Sequence, residues 1–434
     1  VLVLPALLFC GSCRLEREND SKIITIEVAI FEGGYGLDWF REIARRYEKL
    51  HPNVRIHLWG DPRVDEKIRP RILRHDPPDV ANSMLPTWKL IVAGKLYPLD
   101  EALDSPAYGQ KITWRQSIFP GLLTNYQYQG KTYAMPTNFG AWVCWYDRRL
   151  FRQHGWKPPK TWGEFTKLCE KIKASGIAPL AFQGKYPIYA WSTLLSLYQR
   201  LVPFEKWYAM QDLKPGAFLD PDFIRAAALV QEMAQKYFQP GAMAMTHTES
   251  QMEFVNRRTA MVFCGLWLHN EMKNAIPNDF EMDCFAVPMV EGGKGDHRAV
   301  LGGGGEHFFV FADARHPKTG TDFLKFMVSK ESGRTYIETL NSLPPVRGSA
   351  EGAKVAPELR TALQIMEGSS RICSDRLTSL YLELGKKILP AELAELMRGS
   401  TTPQEFARRL EAAAEAIRRN PDIYKPPAMG VPPL

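Results

Sequence analysis

The opening stretch of the chain alternates extended and helical patterns, and this restricts its fold more than any other feature. Residues 22–31, KIITIEVAIF, place apolar side chains at every second position and read as a strand. Residues 37–52, LDWFREIARRYEKLHP, carry Leu37, Phe40, Ile43, Ala44, Tyr47 and Leu50 at helical spacing and stop at Pro52. NVRIHLWGD (53–61) returns to strand spacing, and PPDVANSM (77–84) supplies a third strand. A β-α-β-α-β order needs crossover connections, which gives a parallel, doubly wound α/β sheet. Open sheets of this kind bind ligands beyond the carboxyl ends of their strands. Here those ends are FEGGYG, WGD and ANSM, so Tyr35, Trp59, Asp61 and Ser83 are expected at a ligand edge.

At 434 residues the chain exceeds one ordinary core, and two domains are expected. A second α/β unit begins at KPPKTWGEFTKLCEKIKASGIAPLAF (157–182), with Thr161 as helix N-cap and Glu164 at the capping-box position. Between the two units lies GKTYAMPTNFGAWVCWYD (130–147), strand-like at both ends but interrupted by PTNFG. Proline and glycine are avoided inside a central strand, so the interruption needs a reason. A strand leaving one domain and entering the next supplies it: Pro136 and Gly140 permit the bend, while Thr137 and Asn138 face an interdomain cleft. An edge strand with a bulge is the other reading. Further crossings are expected near 296–302 and 342–348.

Hydrophobic content of 45% and charged content of 24% describe an ordinary globular chain. The formal charge is +7, but Lys and Arg are scattered among acids, so no nucleic-acid footprint is read. Catalytic signatures are lacking. The nine histidines form no HExxH, and no GxSxG occurs. LGGGGEH (301–307) resembles a phosphate loop only superficially, because no GK[ST] follows and FFVFAD reads as a strand. Its glycines suit either a close ligand approach to backbone or the relief of crowding at a crossover. No cofactor and no metal are expected. Cys144, Cys169, Cys264, Cys284 and Cys373 show no CxxC spacing and read as buried small hydrophobes, one disulfide being the alternative.

The N-terminal run VLVLPALLF is too short to span a bilayer and leads into CGSC and a polar stretch. Residues 1–22 read as the remainder of a secretory signal plus linker. The segment resembles a bacterial lipoprotein signal, which implies lipid attachment at Cys13, with ordinary secretion as the alternative. At the other end, GSTTPQEFARRLEAAAEAIRRN (399–420) reads as an amphipathic helix capped by Thr402 with Pro403 in its first turn. Its stripe of Leu410, Ala413, Ala414 and Ile417 is expected to dock on its own domain.

The succession LYPLDE (96–101), GKTYAMP (130–136), WYDRRLFRQHGWKPPKTWGEF (145–165), FVNRRTAMVFCGLW (254–267) and the late glycine-rich segment carries a likeness. It resembles the bacterial extracytoplasmic solute-binding proteins of the carbohydrate-importer class, the maltose-binding-like subunits of ABC transporters. GLWLHNEMK (265–273) and GGGGEHFFVFADARHPKTGTDFLKFM (302–327) are similar, more narrowly, to the N-acetylglucosamine and diacetylchitobiose branch. The resemblance implies a two-lobe periplasmic-binding-protein fold, each lobe a doubly wound sheet flanked by helices and joined by hinge crossovers. Lobe I would comprise 23–136 with 299–343, and lobe II 137–298 with 344–424, leaving 425–434 as a tail. It also implies an extracytoplasmic monomer that binds sugar without catalysis and hands it to membrane permease subunits.

Sugar chemistry fits the residues. A pyranose offers an apolar face for an aromatic ring and a rim of hydroxyls for polar groups. Trp59, Trp191 and Trp267 sit at element junctions suited to such platforms, with core packing as the alternative for each. Asp61, Asn138, Gln183, Glu271, Glu306 and His307 are candidate hydroxyl partners, and Gly304 a point of close backbone approach. By the family pattern, Trp267 and Trp191 would come from the second lobe and Asn138 from the hinge. Trp39, Trp88 and Trp162 are expected to pack helices. A non-carbohydrate solute, or a glycan-cleaving enzyme using Glu271 and Glu306 as acid and base, are the other readings.

Overall fold

The computed structural model describes residues 23–33, 35–83, 85–428 and 431. The expected signal segment and Cys13 lie outside the described residues. In chain order the strands are β1 (Ile24–Phe31), β2 (Val54–Asp61), β3 (Val80–Asn82), β4 (Gln127–Tyr128), β5 (Lys131–Thr132), β6 (Met135–Pro136) and β7 (Phe139–Ala141). They continue as β8 (Val143–Asp147), β9 (Ala178–Ala181), β10 (Thr259–Cys264), β11 (Met282–Ala286), β12 (Val300–Gly304), β13 (His307–Val310) and β14 (Ile372–Cys373).

The first sheet has the order β2-β1-β3-β13-β6. Strands β2, β1 and β3 run parallel as the opening pattern requires, and the helix Asp38–Leu50 crosses between the first two. That helix buries Trp39, Phe40, Ile43 and Tyr47 against Ile26, Val28 and Ile30 of β1. Strand β13 departs from the parallel expectation and pairs antiparallel with both β3 and β6. The reason is topological. β13 arrives from outside this sheet through a tight turn after β12, without the crossover helix that would make it parallel. A second sheet, β11-β8-β10-β9, is likewise mixed, with β8 antiparallel to β10 and β11. The result is a two-lobe α/β architecture with mixed sheets.

The interrupted stretch 130–147 now has an explanation. β6 lies at the edge of the first sheet, β7 pairs with β12 in a small sheet of order β14-β12-β7, and β8 runs inside the second sheet. Pro136 falls on that edge, where a missing N–H removes no ladder bond. β12 passes into β13 in the same way, and a third connection meets them where Phe139 N–H donates to the Leu343 carbonyl. The glycines serve this crossing directly. A Cβ on Gly302 would stand 2.2 Å from the Gly140 carbonyl oxygen, so the two backbones approach too closely for side chains.

Two local readings need adjustment. Thr161 caps the helix Trp162–Ala174 by accepting from Glu164 N–H at 3.2 Å, but Glu164 reaches the Lys160 N–H, so the box closes one residue early. Thr402 caps Pro403–Arg419, and Leu410, Ala414 and Ile417 are buried while Ala413 is only partly covered. The five described cysteines are all buried and unpaired, and burial pushes their thiols up, which leaves them chemically inert. Among the described residues, no helix is long and apolar enough to cross a membrane.

Candidate functional site

A cavity of about 420 Å³ opens where the crossings meet. Asn138 to Trp142 and Leu301 to Gly303 form its floor, and Gly305, Glu306 and Ser342 close one side. Tyr35 lies in the loop after β1 and Asn125 in the 3-10 turn Thr124–Tyr126; Ser192, Leu266, Trp267, Ser374 and Asp375 complete the lining. The small sheet sets this position, because its strands are the ones that lead from one large sheet to the other.

Trp267 is the exposed aromatic of the cavity, 36% accessible, while most of the tryptophans are buried. It follows β10 at the entry to the helix Leu268–Met272, and its ring folds back over Gly265. A Cβ at Gly265 would come within 2.0–2.4 Å of three ring atoms, so glycine is required for that posture. The ring leans on Trp142 at 6.3 Å between centroids, and Trp142 is itself fixed by donating to Thr193 Oγ1 at 3.0 Å. Gly265→Ala is therefore expected to push the Trp267 ring out of place and weaken ligand binding about tenfold, which is ~1.4 kcal/mol. Equilibrium titration beside a thermal melt checks this, since the displaced ring leaves the core untouched.

Asn138 organises the opposite side. Its Oδ1 accepts from the Glu306 N–H at 2.9 Å, and its Nδ2 donates to Tyr336 Oη at 3.0 Å. Its polar atoms thus hold the turn that presents Glu306. Among the described residues the Glu306 carboxylate receives one long bond, 3.4 Å from Asn82 Nδ2. Burial lifts its pKa to about 7, with the Asn82 hydrogen bond opposing. The folded protein therefore keeps a proton that the unfolded chain releases from about pH 4.5 upward, and stability falls as pH rises through that window. Glu306→Gln is expected to be more stable than the parent at pH 8, by up to ~3 kcal/mol, and indistinguishable at pH 4. Urea unfolding at the two pH values measures the difference.

Asp375 lines the cavity with a carboxylate engaged by the protein. Its Oδ2 accepts from Trp191 Nε1 at 3.1 Å and Thr378 Oγ1 at 2.6 Å, and its Oδ1 from the Leu377 N–H at 3.0 Å. Burial raises its pKa. Tyr35 Oη shares a 3.2 Å hydrogen bond with Ser342 Oγ, which joins the first lobe's loop to the third crossing.

Of the residues expected from sequence, the cavity brings together Tyr35, Asn138, Trp267 and Glu306. Trp191 is buried behind it and acts on Asp375. Gly304 lies in the β12 ladder opposite Phe139. Glu271 accepts from Gln251 Nε2 at 2.6 Å, and buried Gln183 accepts from Ser250 Oγ at 3.1 Å, both outside the lining. Trp59 donates to Glu27, Asp61 pairs with Lys67, Ser83 accepts from the Leu85 N–H, and His307 bonds Thr87 Oγ1 at 2.7 Å. These last four are bonded on or beside the first sheet and lie outside the lining. The lining also holds Asn125, Trp142, Ser192, Ser342, Ser374 and Asp375, which the reading of the sequence did not single out as binding residues. Trp142 carried a signal, an aromatic beside the polar interruption; the serines carried none.

Comparison with known proteins gives a consistent result. The family model described as bacterial extracellular solute-binding protein matches residues 33–334. The diacetylchitobiose binding protein NgcE of Streptomyces coelicolor is 24% identical over 331 residues, covering 75% of this chain and 70% of that one. A multiple sugar-binding protein of Streptococcus mutans is 23% identical over 358 residues, with 79% and 80% covered. Among solved structures, a chitin oligosaccharide binding protein superposes with a TM-score of 0.70 at 21% identity, covering 91% of this chain and 98% of that one. RafE in complex with raffinose gives 0.67 at 22% identity, with 90% and 98% covered. At such identities the structural likeness establishes the fold.

Proposed function

This chain belongs to the bacterial extracellular solute-binding protein family, and we propose that it captures a mono- or oligosaccharide for an ABC importer. The ligand lies in the cavity at the lobe crossings, and an N-acetylglucosamine or chito-oligosaccharide unit is the best-supported choice. The observation that carries this reading is the exposed Trp267 ring, seated on Gly265 beside the strand crossings that form the cavity floor. A pyranose laid on that ring would meet Ser342 and Glu306 on one side and Asn125, Ser192 and Ser374 on others. The likeness to NgcE supports the chito-type sugar.

Capture proceeds by closure of one lobe on the other about the segments near 134–140, 296–302 and 342–348. Lobe I comprises 23–136 with 299–343, and lobe II 137–298 with 344–424. Closure follows from differential binding, because contacts from both lobes exist together only in the closed form. The closed protein docks on permease subunits outside the cytoplasm, and Cys13 holds it at the membrane through a lipid. It performs no chemistry on the sugar.

A thermal-shift panel of N-acetylglucosamine, diacetylchitobiose, maltose, cellobiose, xylobiose and several non-sugar solutes tests this. A true ligand at a hundred times its Kd stabilises by ~2.7 kcal/mol, enough for a shift of several degrees. A shift with non-sugar solutes alone would point to a different cargo, and cleavage products in the mixture would mean an enzyme.

A further inference from the structure

The proposed sugar cavity carries ionisable side chains of one kind. Tyr35, Glu306 and Asp375 line it, and among the described residues none of the lining is Lys, Arg or His. The two carboxylates differ in what they still need. Asp375 is surrounded by donors from Trp191, Thr378 and the Leu377 peptide. Glu306 has the Asn82 amide at 3.4 Å, and among the described residues no Lys, Arg or His pairs with its carboxylate. The groups that sense its charge are Tyr35 and Tyr336, both phenols that burial keeps neutral. A mostly buried carboxylate without a counter-charge is unfavourable, and a ligand hydroxyl offsets it only in part. An ammonium restores the charge balance and donates up to three hydrogen bonds.

We propose that this cavity selects a pyranose bearing a free, protonated amine, glucosamine or a chito-oligosaccharide with a deacetylated unit, and that Glu306 is the counter-charge for that amine. The inference rests on the sugar reading above and departs from it in one respect: the amine of the chito-type unit is free rather than acetylated. The pyranose keeps its apolar face on Trp267, and the ammonium is directed at the Glu306 carboxylate across the Asn138-held turn. Acetylation removes the positive charge and two of the three N–H donors, so the acetylated analogue leaves Glu306 uncompensated.

The test is calorimetric titration of the full chain with matched pairs: glucosamine against N-acetylglucosamine, and chitobiose with free amines against diacetylchitobiose. Cellobiose serves as the hydroxyl control and spermidine as the non-sugar cation. The free-amine sugar of each pair is expected to bind at least tenfold more tightly at pH 7 and low salt. Glu306→Gln, checked for folding by its melt, is expected to remove that preference. As a second readout, binding of the amine sugar should strengthen from pH 5 to pH 7 as Glu306 ionises, while binding of cellobiose should not. Equal or tighter binding of the acetylated partner would overturn the amine assignment and leave the sugar reading intact, and so would a preference that survives in Glu306→Gln. Binding of spermidine with no sugar bound would overturn both.

Discussion

Replacing Trp267 with alanine is expected to weaken sugar binding roughly a hundredfold while moving the melting temperature by about 2 °C or less. The two halves of this result have separate causes. The ring is 36% accessible and covers the cavity rather than a core, so its removal leaves no sealed void. Substitutions at such positions stay within about 0.5 kcal/mol in stability. Bound sugar, by contrast, loses the apolar area covered by the ring, at ~25 cal/mol per Å², together with the favourable stacking geometry. The sum is about 2–3 kcal/mol, or roughly a factor of a hundred in Kd. Phenylalanine at this position should recover part of the affinity, since it keeps a face but presents a smaller one.

Trp145→Ala should behave in the opposite way. This ring lies on β8, is fully buried, and donates its Nε1 to the Gly265 carbonyl at 3.1 Å. Alanine would leave a large cavity and a carbonyl without its donor, at a cost of about 3–5 kcal/mol. Urea denaturation should show the midpoint falling with little change in slope. Because Gly265 seats Trp267, any folded fraction should also bind sugar less tightly. Trp145→Phe should restore most of the packing but not the hydrogen bond. The two tryptophans that follow the polar interruption therefore divide the work: Trp142 braces the platform from the cavity lining, and Trp145 holds the strand beneath it.

The sequence made the lobe architecture readable because it is built from local periodicity. Strand spacing in 24–31 and 54–61 and helical spacing in 38–50 are properties of consecutive residues, and they specify β1, β2 and the crossover between them. The polar interruption at 136–140 was equally legible, since proline and glycine inside an apolar strand need a reason, which a change of sheet or an edge bulge supplies. What periodicity does not reveal is which strand lies beside which. The insertion of β13 between β3 and β6 joins residues well over a hundred positions apart. This limit also explains the uneven fate of the site residues. Trp59 and Asp61 do end a strand at the ligand-facing edge, but β2 is the outermost strand, at the opposite edge of its sheet from β6 and the crossing. Asp375 was missed for the complementary reason: it lies in a short segment after β14, where no periodic pattern marks it. Trp267 was legible because it stands at an element junction, inside the GLWLHNEMK segment that carries the family resemblance.

The most direct test of sugar capture at the lobe crossing is a side-by-side isothermal titration of the parent chain and Trp267→Ala. The titrant should be the sugar that gives the largest thermal shift. The account expects one site per chain, a micromolar or tighter Kd, a negative heat-capacity change from apolar burial, and roughly a hundredfold loss in the variant. A sugar that binds both proteins equally would contradict it, because the ligand would then sit somewhere other than on that ring.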